Sequence, residues 1–175
     1  MAAKLLAHTP SRRWRHVEGV AARAAEVSSH LGGVDRVVVV AAWLHDVGYS
    51  PDLVVTGFHP LDGARFLRRE GFDDRVVCLV AHHSYSGVEA VLRGLGPTLH
   101  EEFRREESLT SEALCYCDMT TSPDGDRIGV VDRLEEIRAR YGPGDLVTQF
   151  VDRAEPEILA TVRRVEGLLL ARQPR

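Results

Sequence analysis

Eight consecutive apolar residues, Val37 to Leu44, end at the dyad His45-Asp46, and this junction restricts the fold more than any other stretch of the chain. A run of that kind belongs almost wholly in the interior, so the carboxylate that closes it lies beside the core and needs a strong partner. The four valines Val37 to Val40 favour a strand, but the length of the run and the Ala41-Ala42-Trp43-Leu44 that follows favour a buried helix. That helix is expected to begin near Val34-Asp35 and to run through His45-Asp46 to Gly48, where glycine permits a C-terminal stop.

Helical periodicity recurs on both sides. Thr9-Pro10 reads as a cap with a first-turn proline, and Trp14, Val17, Val20, Ala21, Ala24, Ala25 and Val27 repeat at helical spacing until Leu31-Gly32-Gly33. His59-Pro60-Leu61-Asp62 reads as the cap, first-turn proline and first-turn acid of a further helix. Others are expected from about Asp73 to Ser84, Thr110 to Asp118, Val131 to Tyr141 and Pro156 to Arg172, the last two separated by Gly142-Pro143-Gly144. The charged stretch from Glu101 to Glu107 reads as a solvated helix face. Almost nothing alternates with period two, so the fold class is all-α, a compact helical bundle, with residues 1–175 as one domain.

Composition narrows the function. The net charge is −4, Lys4 is the only lysine, and no basic block is longer than the loose cluster Arg12-Arg13-Trp14-Arg15, so no nucleic-acid partner is expected. The apolar stretch within residues 1–8 is too short for a secretory signal, and no segment nears the roughly 20 apolar residues of a membrane span, which gives the expectation of a cytoplasmic protein with no membrane partner. Cys78, Cys115 and Cys117 lie in apolar segments without CxxC spacing and read as reduced core thiols. In the last helix Ile158, Leu159, Val162, Val165, Leu168, Leu169 and Leu170 provide enough apolar surface to pack on the core or to pair with a copy of the chain as a homodimer.

His16, His45, Asp46, His59, His82, His83 and Asp118 each fall at the end of an expected helix or on a helix face, and Leu114-Cys115-Tyr116-Cys117-Asp118 repeats the pattern of an acid closing an apolar stretch. Singly, each histidine is more often a hydrogen-bonded core or surface residue than a ligand, and His8, His30 and His100 are read that way. As an ordered set, imidazole nitrogens and carboxylate oxygens suit divalent iron, manganese, zinc, cobalt or nickel, and the lack of cysteine argues against a purely structural zinc. Adjacent helical side chains point about 100 degrees apart, so only one of His82 and His83 need serve.

The order of these residues resembles the HD-domain superfamily of metal-dependent phosphohydrolases. The likeness rests on Arg15-His16-Val17-Glu18-Gly19-Val20, Leu44-His45-Asp46-Val47-Gly48, His59-Pro60-Leu61-Asp62-Gly63-Ala64 and Cys117-Asp118, and spans roughly residues 12 to 122, with C-terminal helices at about 130–172. It implies that His16, His45, Asp46 and Asp118 hold one metal, that Asp46 bridges to a second, and that His59 with His82 or His83 supplies the extra ligands of the dinuclear members. Asp46, His59 and His83 then carry the catalysis. The implied reaction is hydrolysis of a phosphoester or phosphoanhydride, with a nucleotide as the favoured small-molecule substrate and one or two divalent transition-metal ions as cofactors. Phosphate donors are sought among Arg12, Arg13, Arg65 and Arg127. Tyr49 stands where many hydrolytic relatives carry lysine, and Ser84-Tyr85-Ser86-Gly87 is not the Gly-Tyr-Pro signature of the cyclic-dinucleotide enzymes. The alternatives are a di-iron oxygenase on the same fold and a regulatory module that binds a nucleotide without turning it over.

Overall fold

The computed structural model describes residues 11–172, and among them it contains helices, turns and one isolated bridge between Thr121 and Arg127, an all-α architecture. In chain order the α-helices are α1 Ser11–His30, α2 Val37–Leu44, α3 His59–Arg69, α4 Asp74–His82, α5 Ser86–Leu92, α6 Gly96–Glu102, α7 Leu109–Met119, α8 Val130–Tyr141 and α9 Leu146–Ala171. The apolar α2 and α7 are central: α2 packs against α1, α4 and α7, and α7 in turn against α1 and α9. Val38, Ala41, Ala42 and Leu44 of α2 meet Ala113, Leu114 and Cys117 of α7 in one core that α9 closes with Val151, Ile158, Val162 and Val165. Trp14 and Trp43 pack on each other with ring centroids 5.7 Å apart where α1 meets α2. The three cysteines are free and buried, and burial raises the pKa of each thiol, that of Cys117 to about 12. Among the described residues no helix is long and apolar enough to cross a membrane.

Several sequence expectations are corrected. The α2 run is not wholly buried, since Val40 is 43% exposed. The α-helix stops at Leu44, and the chain continues through a turn at His45-Asp46 into a 3₁₀ turn, Val47–Tyr49. His59 is the first residue of α3 and not its cap; Asp62 holds the preceding loop by accepting hydrogen bonds from the backbone of Val55, Thr56 and Gly57 and from the Thr56 hydroxyl. Helix α4 ends at His82, because His83 turns to an extended ψ and Ser84 and Tyr85 after it take left-handed backbone angles. Only Glu101 and Glu102 of the charged stretch are helical, and Ser108 opens α7 with a capping box to Ser111. Helix α9 begins ten residues before Pro156, capped by Asp145; burial of Phe150, Val151 and Ala154 outweighs the cost of an internal proline. Its apolar stripe packs mostly inward, while Leu168 and Leu170 remain exposed. The Thr9-Pro10 cap and His8 lie outside the described residues.

Two glycine contacts draw the histidine-bearing segments together. A Cβ on Gly48 would stand 2.0 Å from the His59 carbonyl oxygen, so the turn after Asp46 touches the start of α3 backbone to backbone. A Cβ on Gly19 would stand 2.4 Å from the Gly125 carbonyl oxygen, which seats α1 directly on the loop after α7. Gly167, mid-helix in α9, has no atom within 4 Å of such a Cβ. Gly48→Ala is therefore expected to cost about 3 kcal/mol and to lower Tm by about 6–12 °C, whereas Gly167→Ala removes only backbone freedom and raises Tm by about 2–4 °C in the same thermal melt. A Gly48→Ala protein that melts with the wild type contradicts the close packing of this turn.

Candidate metal centre

Three of the four candidate ligand histidines, His45, His59 and His83, sit at helix ends. The last carbonyls of an α-helix lack intrahelical partners, and His45 and His83, the C-cap residues of α2 and α4, fold back to satisfy one each. His45 Nδ1 donates to the Ala42 carbonyl at 2.7 Å and His83 Nδ1 to the Val80 carbonyl at 2.6 Å. His16, on α1, donates from Nδ1 to the Ser122 carbonyl at 3.0 Å. A carbonyl can only accept, so each neutral ring presents a lone pair at Nε2. The His16, His45, His83 and His59 rings follow one another at centroid distances of 5.5, 5.3 and 5.2 Å.

Two carboxylates face these nitrogens. Asp118 Oδ1 lies 3.0 Å from His16 Nε2 and 4.0 Å from His45 Nε2, while its Oδ2 accepts a hydrogen bond from Ser84, whose left-handed backbone brings the hydroxyl into place. Asp46 Oδ1 lies 3.6 Å from His45 Nε2 and 3.4 Å from His59 Nε2, while Arg13 donates to its Oδ2 at 2.6 Å. Two groups of three ligand atoms result, His16–His45–Asp118 and Asp46–His59–His83, each with its atoms within 4.8 Å of one another. Asp46 stands between them.

The residues suit a pair of cations. His45 Nε2 is buried without a hydrogen-bond partner and points its lone pair toward two carboxylates, an unfavourable arrangement that a cation relieves. His59 and His83 bring Nε2 to Nε2 at 3.2 Å, which needs a proton or a metal between them. Burial, the largest influence, disfavours the imidazolium of His45 and His59 and lowers both pKa values despite Asp46. Burial pushes the Asp46 carboxyl up, but His45, Arg13, His59 and His16 outweigh it and hold the pKa well below the usual range; Asp118 is held down in the same sense, chiefly by His16 and His45. Neutral imidazoles with ionised carboxylates are the protonation states metal ligation requires.

Above the ligands, the Arg13 guanidinium lies 3.6 Å from the centroid of the Tyr49 ring, which stacks on His59 at 3.9 Å. Arginine thus brings a cation to a pair that has tyrosine, not lysine, at position 49. The space of about 90 Å³ over both groups is partly open to solvent and is roofed in part by Arg133, Ile137, Arg140 and Tyr141 of α8. A larger cavity of about 660 Å³ lies beyond the His83–Tyr85 turn, lined by His82 and His100, and shares only His83 and Ser84 with the lining of the smaller space.

His82 donates from Nε2 to the Phe103 carbonyl at 2.8 Å and stacks on His100, so of the adjacent pair the structure brings only His83 to the centre. Of the arginines, Arg13 alone reaches it: Arg65 is paired with Glu102, Arg127 with Glu26 and Arg12 with Asp124. Arg133 and Arg140 were not among the sequence candidates. The available signal was an arginine at position 133 on the same face of α8 as the buried Leu134 and Ile137.

With metal stripped by chelator, His45 and His59 stay neutral in the folded chain at pH values that protonate them once unfolded. The unfolded state then binds more protons below about pH 6.5, so stability is complete above neutrality and is lost as pH falls. Asp46 and Asp118 add to the loss in the same direction only below about pH 4. The expected loss between pH 7.5 and 5.5 is on the order of 2–3 kcal/mol, or about 5–10 °C in Tm; a Tm that is flat or rises on acidification contradicts the buried neutral imidazoles.

Comparison with known proteins places this geometry. The family model for the HD domain matches residues 13–120, a segment that contains all six candidate ligand residues and excludes α8 and α9. Among curated proteins the chain is similar to the tRNA (cytidine(56)-2'-O)-methyltransferase of Thermoplasma volcanium, with 36% identity over 101 residues, covering 56% of this chain and 29% of that protein. It is also similar to Ribonuclease Y of Chloroflexus aurantiacus, with 37% identity over 139 residues, covering 70% of this chain and 26% of that protein. The chain thus spans less than a third of either relative's length, and no solved structure matches it. On the family match and the geometry it covers, the chain belongs to the HD domain family.

Proposed function

We propose that the chain is a metal-dependent phosphohydrolase that cleaves a phosphoester or phosphoanhydride, with a nucleotide as the favoured substrate. The observation that carries this reading is Asp46 Oδ1, within 3.6 Å of a nitrogen of one ligand group and 3.4 Å of a nitrogen of the other, the position of a bridging carboxylate. His16, His45 and Asp118 would hold one divalent cation and His59 and His83 a second, with Asp46 shared. Such a pair supplies Lewis acidity that polarises a phosphoryl oxygen and makes water a nucleophile at neutral pH.

The protein's own contribution is orientation and charge. The hydrogen bonds from His16, His45 and His83 to backbone carbonyls fix which nitrogen of each ring faces the centre. Arg13 holds Asp46 in its ionised form and in place, and the burial of His16, His45, His83, Asp46 and Asp118 lets fixed charges act more strongly on the substrate. Arginine in the lining of this cavity favours an anionic substrate, which weighs against an oxygenase acting on a neutral one; intact ligand groups weigh against a module that only binds. The names of the two relatives denote enzymes of RNA, and nucleic acid therefore joins the substrate classes in place of its exclusion on net charge.

Protein reconstituted with manganese, cobalt or nickel in oxygen-free buffer is expected to release inorganic phosphate or cleaved product from a panel of nucleotides and short RNAs. Asp46→Asn is expected to reduce turnover more than about 100-fold, beyond the loss typical of an outer-shell partner. Turnover that requires iron and oxygen, or metal binding with no hydrolysis of any phosphorylated substrate, would contradict the proposal.

A further inference from the structure

Arg133 is buried to 7% exposure, yet its Nε has no hydrogen-bond partner, and the residue lines the small cavity over both ligand groups. Its Nη1 donates to Oε2 of Glu136, the same oxygen that Arg140 Nη2 reaches at 3.1 Å, so one carboxylate restrains two guanidinium groups at the roof. A buried guanidinium with an unused donor is costly unless a ligand completes it. Arg13, by contrast, is committed to Asp46.

Resting on the phosphohydrolase reading, we propose that Arg133, supported by Arg140, is the phosphate-binding element of this site and selects a terminal phosphoryl group over an internal phosphodiester. Two lines support it. The first is charge: two divalent cations would exceed the two ligand carboxylates Asp46 and Asp118, and the three guanidinium groups of Arg13, Arg133 and Arg140 outnumber the two carboxylates beside them, Glu89 and Glu136, a positive excess that matches the charge of about −1.5 to −2 on a terminal phosphate better than the single charge of a diester. The second is placement: Arg133 lines the same space of about 90 Å³ as Asp46, His59, His83 and Asp118, with Arg13 and Arg140 beside it in that lining. Arg133 belongs to α8, outside the segment matched by the family model, so this selection is a property of the chain's own C-terminal helices.

The test is calorimetric titration of the manganese-loaded full chain with inorganic phosphate, with metal content and Tm measured for each variant, alongside hydrolysis of a chromogenic phosphomonoester and its diester. Arg133→Met is expected to weaken phosphate binding by about 10- to 100-fold with metal content retained, and to lower the monoester-to-diester preference. Glu136→Gln, which releases both guanidinium groups from their shared carboxylate, is expected to tighten phosphate by about 2- to 5-fold, a gain that a purely structural role for Arg133 would not produce. Phosphate binding unchanged in Arg133→Met, or weakened in Glu136→Gln, overturns the inference while leaving the hydrolase reading in place. If Arg133→Met does not fold, the sign of the Glu136→Gln effect decides. A loaded wild type that neither binds phosphate nor cleaves any phosphoester defeats the hydrolase reading itself.

Discussion

Two carboxylates and four imidazoles share a largely buried space, in which burial keeps His45 and His59 neutral beside the ionised Asp46 and Asp118. Such a cluster is stable only when positive charge sits inside it, because burial disfavours the imidazolium that would otherwise provide the charge. Arg13 supplies one charge from the side, at Asp46. It does not reach Asp118 or the partnerless Nε2 of His45, and there the arrangement calls for a cation. Much of the surrounding fold serves to hold these groups in this unfavourable proximity: backbone-to-backbone contact at Gly48 and Gly19, a left-handed Ser84 bonded to Asp118, and helices that end where their ligands begin.

The helix ends carry a second lesson. His45 and His83 solve the same local problem, an unsatisfied carbonyl three residues earlier, with the nitrogen that does not face the centre. One hydrogen bond therefore closes the helix, fixes the tautomer and aims the ligand. This also explains the division of labour in His82-His83: the last helical residue points away to Phe103, and the cap residue, with its extended ψ, turns inward.

Much of this was legible in the sequence. The all-α class followed from helical spacing, and the apolar run closing on His45-Asp46 located the junction between core and ligands. The limits of α2, α4 and α9 were less so. The caps at His45 and His83 depend on side chains reaching back along the helix, and the extension of α9 through Pro156 depends on tertiary burial of Phe150 and Val151. Arg65 and Arg127 were plausible phosphate donors by type, but each has an acidic partner distant in sequence that spacing does not reveal. Arg133 was hidden for the converse reason: within an amphipathic helix rich in charge, nothing but its face distinguishes it from solvated neighbours.

The proposed function requires that Asp46 be shared between two cations. Anomalous diffraction at the manganese edge from crystals grown with manganese tests this most directly. Two peaks are expected, one bounded by His16, His45 and Asp118 and the other by His59 and His83, with the Asp46 carboxylate between them. A single peak away from Asp46, a peak at His82 and His100, or no ordered metal at saturating manganese would contradict it.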